Sequence, residues 1–299
     1  MSSDNIYNNL IEQVNKIFRH NRQGSFKTKE RYLESMKRFC KFLAEKYRLE
    51  KLANIAPKHI YAYVEHMQSI GLSASTIKTD LSAIRQYHDQ MPNPKHKSLP
   101  DNRALILQRR SFGKVDRTWS NREFNYMLSK AWEAGRDDYA AVIYIARYVG
   151  LRIHECFRID TATAEKALKE NAITIKGKGG KIRTVLIHEG ARMVLENALA
   201  ATERGQKLFV PKNMATDIAI QQLQNFIIKY RDNGMRTKST HPITFHGLRH
   251  TCAVEWYEAL RERGMDEKEA SRQVSRWLGH ERPDVTRIYL AALKNSSNL

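Results

Sequence analysis

Apolar residues recur at helical spacing along most of this 299-residue chain. The segment 25–47 carries one such stripe, formed by Tyr32, Met36, Phe39, Leu43 and Tyr47. Pro57 suits the first turn of a second helix, which ends at Gly71. A third stripe follows, formed by Ile77, Leu81, Ile84 and His88. The first hundred residues therefore predict a small bundle of amphipathic helices.

A break in this pattern predicts a domain boundary. The segment "MPNPKHKSLPD" holds three prolines and cannot be a helix interior. A short helical piece is predicted in "NRALILQRR", and a basic linker at 108–117. Ser120 and Glu123 then have the spacing of a capping box, which predicts the first helix of a new domain. We therefore divide the chain into domains 1–107 and 118–299.

The second domain is predicted to be built around a buried helix and a β-hairpin. The segment "DDYAAVIYIARYVG" is apolar on nearly every face, and Gly150 suits its C-cap. Arg152 follows directly, where a charge needs a partner. The alternation in "NAITIKGKGGKIRTVLIH" around a glycine-rich centre predicts a hairpin. The fold class is thus mainly α with one small β-sheet in the C-terminal domain.

The helix predicted over "HGLRHTCAVEWYEAL" has two different faces. Its core face consists of Leu248, Cys252, Trp256 and Leu260. His246 and Arg249, three residues apart, share another face. A further helix ends at Gly279, with His280 just outside it, and a last short helix carries Tyr289.

The charge of the chain indicates a polyanionic partner. Lys and Arg number 51 against 32 acidic residues, for a net charge of +19, and nucleic acid is the commonest partner of such proteins. Any one of these charges could belong to a solvated face, but several helices of the first domain are basic outside. The candidate DNA contacts are Lys37, Arg38, Lys41, Lys78, Arg85, Arg109, Arg110, Lys176 and Lys181.

Other features favour a cytoplasmic protein. No window approaches the roughly 18 apolar residues of a membrane span, and the N-terminus lacks the features of a secretory signal. Cys40, Cys156 and Cys252 lie far apart in apolar patterns, which predicts buried, reduced thiols.

The sequence lacks the motifs expected for an ATP-binding P-loop or a structural zinc site. The segment "GKGGKIRT" has the wrong spacing for a phosphate-binding P-loop, and no C-x-x-C pair is present. His246 and His250 have the i,i+4 spacing of zinc ligands, but the glutamate of H-E-x-x-H is missing. We therefore expect no metal site and no cofactor.

Six residues are candidates for catalysis: Arg152, Lys178, His246, Arg249, His280 and Tyr289. Guanidinium groups bind phosphate oxygens in a bidentate manner and stabilise the charge of a pentavalent transition state. Histidine moves protons near neutral pH, a hairpin lysine can protonate a leaving oxygen, and a tyrosine can be the nucleophile. Each residue alone also has a structural explanation, such as packing for Tyr289. Together they permit phosphoryl transfer through a phosphotyrosine.

The order of these residues resembles the tyrosine recombinase, or phage integrase, family. "GLRIHE" resembles its first arginine box, "GKGGKIRTVLI" its lysine hairpin and "FHGLRHT" its His-x-x-Arg box. "WLGH" resembles the second histidine box and "DVTRIYL" the nucleophile box. In the first domain, "SASTIKTDLSAIRQYH" is similar to the SAM-like domain that binds core sites.

The resemblance implies a role for each residue. Arg152 and Arg249 would hold the scissile phosphate, with His246 and His280 beside it. His246 would be the general base or the proton relay for the tyrosine, Lys178 would protonate the leaving 5′-oxygen, and Tyr289 would form a 3′-phosphotyrosine without ATP or metal. Glu155 would hold the cations of the site in place.

The resemblance also implies partners. These are double-stranded DNA with inverted-repeat core sites, three further copies in a tetramer on DNA, and accessory DNA-bending or directionality factors. The protein would be a monomer free in solution, with no membrane partner. Integration, excision and resolution remain open. A type IB topoisomerase-like enzyme or an inactive DNA-binding relative are the alternatives, although no box is missing.

Two segments depart from the family's compact pattern. The stretch between Arg249 and His280 is several residues longer, which predicts a lengthened helix or loop on the surface. Residues 1–24 are too short for a separate arm-binding domain, and "NIYNNLIEQVNKIF" predicts one extra helix. The chain thus resembles simple Xer-like or Cre-like recombinases.

Overall fold

The computed structural model describes residues 2–19, 26–108, 115–177, 180, 182–231, 242–279, 289, 290 and 293. The chain forms two compact units, Met1–Ser111 and Phe112–Leu299. Within the described ranges it is mainly helical, with a single two-stranded antiparallel sheet. The predicted fold class is therefore confirmed. None of the described helices combines the length and the apolar character needed to span a bilayer.

Over its described residues, the first unit consists of four helices and one 3₁₀ turn: α1 Ser3–Arg19, α2 Phe26–Tyr47, the turn Leu52–Asn54, α3 Pro57–Ser69 and α4 Ala74–Asp89. The predicted stripes of α2 and α4 face the shared core, where Met36, Phe39 and Leu81 are all but inaccessible to solvent. The extra N-terminal helix is confirmed as α1. Ser73 caps α4 by accepting a hydrogen bond from the backbone N–H of Thr76.

A buried carboxylate links three helices of this unit. Asp80 of α4 is 0% exposed and accepts hydrogen bonds from Arg38 Nη2 at 2.6 Å and from the Tyr63 hydroxyl at 2.9 Å. A buried charge needs such partners, because desolvation would otherwise neutralise or expel it. The Arg38–Asp80 pair is therefore part of the bundle's architecture.

The prediction of a short helix in "NRALILQRR" is wrong for residues 102–108, which form bends and irregular backbone. Asp101 begins this segment with an Asx turn, in which its Oδ1 accepts hydrogen bonds from the backbone N–H groups of Arg103 and Ala104. The chain then bends away from a helix, because the backbone N–H of Leu107 donates to the carbonyl of Leu105 at 2.9 Å, a three-residue turn that a helix does not contain. Residues 109 and 110 lie outside the described residues.

The second unit begins with the predicted capping box. Ser120 accepts from the backbone of Glu123, and the Glu123 side chain accepts in return from the backbone of Ser120, opening α5 Asn121–Glu133. The next helix, α6 Asp137–Val149, is confirmed as the buried central element. Gly150 ends it with φ of 67°, a conformation that glycine adopts without strain.

The predicted hairpin is confirmed after two more helices, α7 Ile153–Cys156 and α8 Thr161–Glu170. Strands β1 Ala172–Lys176 and β2 Ile182–Leu186 pair antiparallel, with Lys176 opposite Ile182 at the end of the register where the two strands are connected. β1 packs against α8, whereas β2 contacts the helix near the C-terminus, α12.

The remaining elements are helices: α9 Glu189–Ala200, α10 Thr216–Tyr230, α11 Phe245–Glu262 and α12 Glu267–Leu278. α11 continues to Glu262, and the residues around the turn into α12 are mostly exposed, so this segment lies at the surface. That it is longer than in the rest of the family stays a prediction. Gly279 caps α12 with φ of 65°. All three cysteines are buried free thiols, as predicted.

Candidate active site

Trp119 holds the first turns of α11 in place through two hydrogen bonds. The indole N–H of Trp119 donates to the carbonyl of Thr244 at 2.9 Å, and the backbone N–H of Trp119 donates to the Thr251 hydroxyl at 2.8 Å. Gly247 permits this approach, since a β-carbon there would lie 2.7 Å from the Trp119 ring and still closer to the carbonyl of Arg117. The contacts with Trp119 thus fix the position of the backbone around His246.

Arg249 lies one turn further along α11 and is 1% exposed. The sequence placed it on a polar face beside His246, but the structure buries it whereas His246 is exposed. Its Nη1 and Nη2 donate to the carbonyls of Gly150 and Leu278. Carbonyls at helix C-termini lack intrahelical donors and carry partial negative charge. The guanidinium therefore links α11 to the C-terminal ends of α6 and α12.

Tyr289 reaches this turn of α11 from the C-terminal end of the chain. Its hydroxyl lies 2.9 Å from His246 Nε2, and its ring stacks on His250 at 4.2 Å. The Arg249 Cζ atom is 5.8 Å from the centre of the same ring. Tyr289 is 6% exposed. The structure thus brings three of the six predicted catalytic residues together.

The fourth, Arg152, is joined to the site through Glu155. The backbone N–H of Arg152 donates to Glu155 Oε2 at 2.7 Å and its Nη1 to Oε1 at 3.0 Å. Arg183 of β2 donates to both oxygens, Nη1 to Oε1 at 2.8 Å and Nη2 to Oε2 at 2.6 Å. Glu155 is 3% exposed. It therefore contacts the first-box arginine, as the sequence led us to expect.

The charges around Glu155 and Arg249 perturb both groups. Burial by itself would raise the pKa of Glu155, but the hydrogen bonds from Arg183 and from the Arg152 backbone lower it to about 2. Burial, and then the charge of Arg152, lower the pKa of Arg249 to about 10. Near neutral pH the carboxylate is ionised and the guanidinium is protonated.

His246 is neutral near pH 7. Desolvation by the surrounding protein, then the charges of Arg249, Arg152 and Arg117, lower its pKa to about 4. The residue is nevertheless exposed, so water screens part of this effect. A neutral imidazole beside a tyrosine hydroxyl can accept the phenolic proton. Arg117, from the predicted linker, is a cation that sequence reasoning did not connect with this site.

Sequence reasoning also gave no role to Arg183 of the predicted hairpin. One signal was available. Arg183 lies two residues before the buried Val185 on β2, and alternate residues of a strand share a face. His250, which stacks on Tyr289, was considered only as a metal ligand.

Five of the predicted site residues cannot be placed in this geometry. Lys178, Lys181 and His280 lie outside the described residues, as do Arg109 and Arg110 of the linker. In the sequence, Lys178 falls between β1 and β2, and His280 directly follows Gly279. Their roles stay predictions.

The predicted DNA contacts of the first unit divide into two groups. Lys37 and Lys41 are exposed on α2, and Lys176 is exposed on the hairpin of the second unit. Arg38 is bound to Asp80, and Arg85 donates to the carbonyl of Pro100 at 2.9 Å. Lys78 Nζ lies 3.1 Å from the carbonyl of Gln108. Arg38 and Arg85 therefore have structural partners that the sequence did not suggest.

A cleft of about 490 Å³ opens beside the site, lined by residues of α7, α10 and α11 that include Arg152, Gln224 and His246. In the described part of the chain, no three His, Cys, Asp or Glu side chains are grouped so that they could hold a metal ion. The charged residues that line this cleft, Arg152 and Arg231, are both cations. They suit an anionic substrate whose negative charge increases during reaction.

Two family models match the chain. The model of the phage integrase family matches residues 122–296, a range that includes Arg152, His246, Arg249 and Tyr289. The model of the phage integrase N-terminal SAM-like domain matches residues 12–91. Together they account for the two units of the fold.

Individual proteins resemble the chain over most of its length. The tyrosine recombinase XerD of Halalkalibacterium halodurans is 23% identical over 297 residues, covering 96% of this chain and 94% of the relative. The putative integrase/recombinase y4rC of Sinorhizobium fredii is 24% identical over 287 residues, covering 91% and 83%.

Solved structures show the same fold. The XerH site-specific recombinase bound to palindromic difH substrate has a TM-score of 0.60 and 20% identity, covering 97% of this chain and 84% of that one. A lambda integrase tetramer bound to a Holliday junction has a TM-score of 0.61 and 14% identity, covering 93% and 76%.

Proposed function

This chain belongs to the phage integrase family, the tyrosine recombinases, and we propose that it is a site-specific DNA recombinase acting through a covalent 3′-phosphotyrosine. One observation carries the proposal: the Tyr289 hydroxyl lies 2.9 Å from Nε2 of a histidine whose neighbours keep it neutral. A nucleophile and a base within hydrogen-bond distance are the first requirement of covalent catalysis.

Substrate binding follows from the charges of the site. Arg152, Arg249 and the nearby Arg117 are cations, and Glu155 cancels only part of this charge. A scissile phosphodiester carries one negative charge and gains another in the pentavalent transition state. Arg152 and Arg249 hold its non-bridging oxygens, and exposed lysines such as Lys37 contact the backbone elsewhere.

Strand cleavage transfers the scissile phosphate from the 5′-oxygen of the DNA to Tyr289. The phenolic oxygen of Tyr289 forms a bond to phosphorus, and its proton passes to His246 Nε2. The bond from phosphorus to the 5′-oxygen breaks, and Lys178 supplies a proton to that oxygen, with His280 beside the phosphate. Attack by a 5′-hydroxyl of another strand reverses the step. The bond energy is conserved in the phosphotyrosine, so neither ATP nor a metal ion takes part.

Access to Arg249 requires a movement. The guanidinium is 1% exposed, and the Tyr289 ring is among the groups near it, 5.8 Å away. A phosphate oxygen reaches Arg249 only if the side chains that cover it shift. We propose that DNA binding shifts the Tyr289 ring enough to admit a phosphate oxygen to Arg249, with the hydroxyl kept beside His246, and so couples substrate binding to exposure of Arg249.

Recombination needs two duplexes, each with two half-sites in inverted repeat. We propose that four copies assemble on the paired sites and that the free protein is a monomer. The structures of related fold include a lambda integrase tetramer on a Holliday junction, which is consistent with this assembly. Accessory DNA-bending or directionality factors would act on the DNA outside the core sites.

The test begins with the selection of a duplex from a randomised DNA library by binding to the Tyr289→Phe variant. The selected duplex is then synthesised with a nick and incubated with each protein in EDTA. The wild type should form a covalent protein–DNA adduct that survives denaturation. Tyr289→Phe should bind with similar affinity and form none, since it lacks only the hydroxyl.

A second tyrosine provides the matched control. Tyr61 lies on α3 and is 48% exposed, so Tyr61→Phe should form the adduct at the wild-type rate. An undiminished adduct from Tyr289→Phe would exclude Tyr289 as the nucleophile, and a requirement for Mg²⁺ would exclude this mechanism. Exchange of strands between two selected duplexes separates a recombinase from a topoisomerase, which only relaxes supercoiled DNA.

A further inference from the structure

Arg183, on the second strand of the hairpin, donates to both carboxylate oxygens of Glu155, which also accepts from Arg152. We infer that it is a positioning residue for Arg152, acting through Glu155, and that it leaves the charge of Arg152 available to the phosphate. The inference rests on the proposed function, because it concerns the same phosphate site. Its basis is the bidentate contact of Arg183 with Glu155 and the further contacts of Glu155 with Arg152.

Arg183 changes the net charge of the group that it forms with Glu155 and Arg152. Glu155 holds one negative charge between two guanidinium groups, so the three side chains together keep one net positive charge. Without Arg183, Glu155 and Arg152 would form a neutral pair. Arg152 would then offer a phosphate hydrogen bonds but little net charge. Since the transition state gains negative charge, the loss falls mainly on the reaction rate.

Arg183 also affects the orientation of Arg152. Arg183 donates in parallel to both oxygens of Glu155 at 2.8 Å and 2.6 Å, a fork that fixes the plane of the carboxylate. The same carboxylate receives the backbone N–H and the side chain of Arg152. The orientation of Arg152 thus depends on a residue of β2.

A third observation connects Arg183 to the end of α12. Its Cδ atom occupies the space that a β-carbon on Gly279 would need, at 2.9 Å. Gly279 ends the helix whose last carbonyls include that of Leu278, which accepts from Arg249. Arg183 therefore contacts Glu155, the partner of Arg152, and lies beside Gly279, which follows the Leu278 carbonyl that binds Arg249. It connects the surroundings of both arginines to the hairpin.

The experiment measures adduct formation in single turnover on the nicked, selected duplex, with affinity for that duplex measured separately. Arg183→Gln should slow adduct formation about 10- to 100-fold, the range expected for a hydrogen bond to a charged group. DNA affinity should stay nearly unchanged, because one phosphate among many contributes little to binding. Arg183→Lys, which keeps the charge but loses the fork, should fall between the two.

Arg136 supplies the matched control. Its guanidinium forms an equally close bidentate pair with Asp138, at 2.8 Å and 2.7 Å, at the N-terminal end of α6 and away from Gly150. Arg136→Gln should keep the wild-type rate of adduct formation. The unfolding midpoint of every variant is measured as well, and Arg183→Lys carries the test if Arg183→Gln does not fold.

A double variant separates positioning from simple loss of structure. Removing the carboxylate as well, in Arg183→Gln/Glu155→Gln, restores the net positive charge and should recover part of the rate lost in Arg183→Gln. Strictly additive losses, a wild-type rate in Arg183→Gln, or an equal loss in Arg136→Gln would each overturn the inference. A wild type without any adduct overturns the proposed function itself, a result distinct from these ratios.

Discussion

His246 and Tyr289 are 43 positions apart in the sequence, yet the histidine Nε2 lies 2.9 Å from the tyrosine hydroxyl. The contact depends on two features of the fold. Trp119 and Gly247 fix the start of α11, which presents His246 outward. His250, one turn later on the same helix, provides the flat surface on which the Tyr289 ring stacks. Nucleophile and base are thus aligned by a single helix.

The pH dependence of stability should reveal the unusual state of His246. Its pKa is lowered from 6.5 to about 4, so the unfolded chain binds this proton more readily than the native protein does. The wild type should therefore lose free energy of unfolding as pH falls from about 6.5 towards 4. His246→Gln should lose less over that window, measured by urea unfolding.

Other histidines contribute to the same slope, so only the difference between the two proteins is informative. Burial also lowers the pKa of His59 in the first unit, which makes His59→Gln a useful comparison. Equal slopes for the wild type and His246→Gln would contradict a neutral His246 in the native protein.

Arg249 and Arg152 should differ in stability although both are needed for activity. Arg249→Ala leaves the carbonyls of Gly150 and Leu278 without their donors and should lower the free energy of unfolding by about 3 kcal/mol or more. Arg152 is partly accessible, its side chain 28% exposed, and Arg152→Ala should destabilise by less than about 1 kcal/mol.

Adduct formation by either arginine variant should fall about 10²- to 10³-fold, since each loses charge stabilisation made mainly in the transition state. Urea unfolding and adduct formation are measured on the same preparations. If Arg152→Ala proved as unstable as Arg249→Ala, its loss of activity would no longer indicate a direct contact with phosphate.

The basic residues of the first unit should separate into DNA contacts and structural residues. Lys37→Gln and Lys41→Gln remove exposed charges and should each lower the slope of log affinity against log salt by about 0.9 for each phosphate that the lysine neutralises. Their stability should be unchanged. Arg38→Gln should instead destabilise the bundle, because Asp80, at 0% exposure, loses its ion-pair partner.

These effects are measured by DNA binding at several salt concentrations and by thermal unfolding. A salt slope unchanged in both lysine variants would remove α2 from the DNA interface. An Arg38→Gln variant as stable as the wild type would show that Tyr63 alone satisfies the carboxylate.

Assembly should depend on the residues after the nucleophile. Deleting the chain from Leu290 onward should reduce cooperative binding and pairing of two sites more than binding to one half-site, because the apolar stretch "LAAL" is proposed to contact a neighbouring copy. Light scattering or native mass spectrometry, with and without the selected duplex, gives the oligomeric state. A stable tetramer without DNA, or cooperativity unaffected by the deletion, would refute this assembly.

Local patterns in the amino-acid sequence were sufficient to predict most of the elements and the set of candidate residues. The apolar stripes of α2 and α4, the Ser120–Glu123 capping box and the hairpin around "GKGG" are local signals, and local signals depend on neighbours within one or two turns. The order of the arginine, histidine and tyrosine boxes likewise requires no coordinates. These features predicted the fold class and the resemblance correctly.

Which charges are buried, and what they contact, depends on how the elements pack against each other. Arg249 is stabilised in the interior by carbonyls 99 and 29 positions away, and Arg183 is held by a carboxylate 28 positions before it. Arg38 similarly depends on Asp80, 42 positions away. Helical or strand periodicity indicates which face is apolar. Whether a charge on that chain can be desolvated depends on acceptors from distant elements, which become neighbours only when the chain folds.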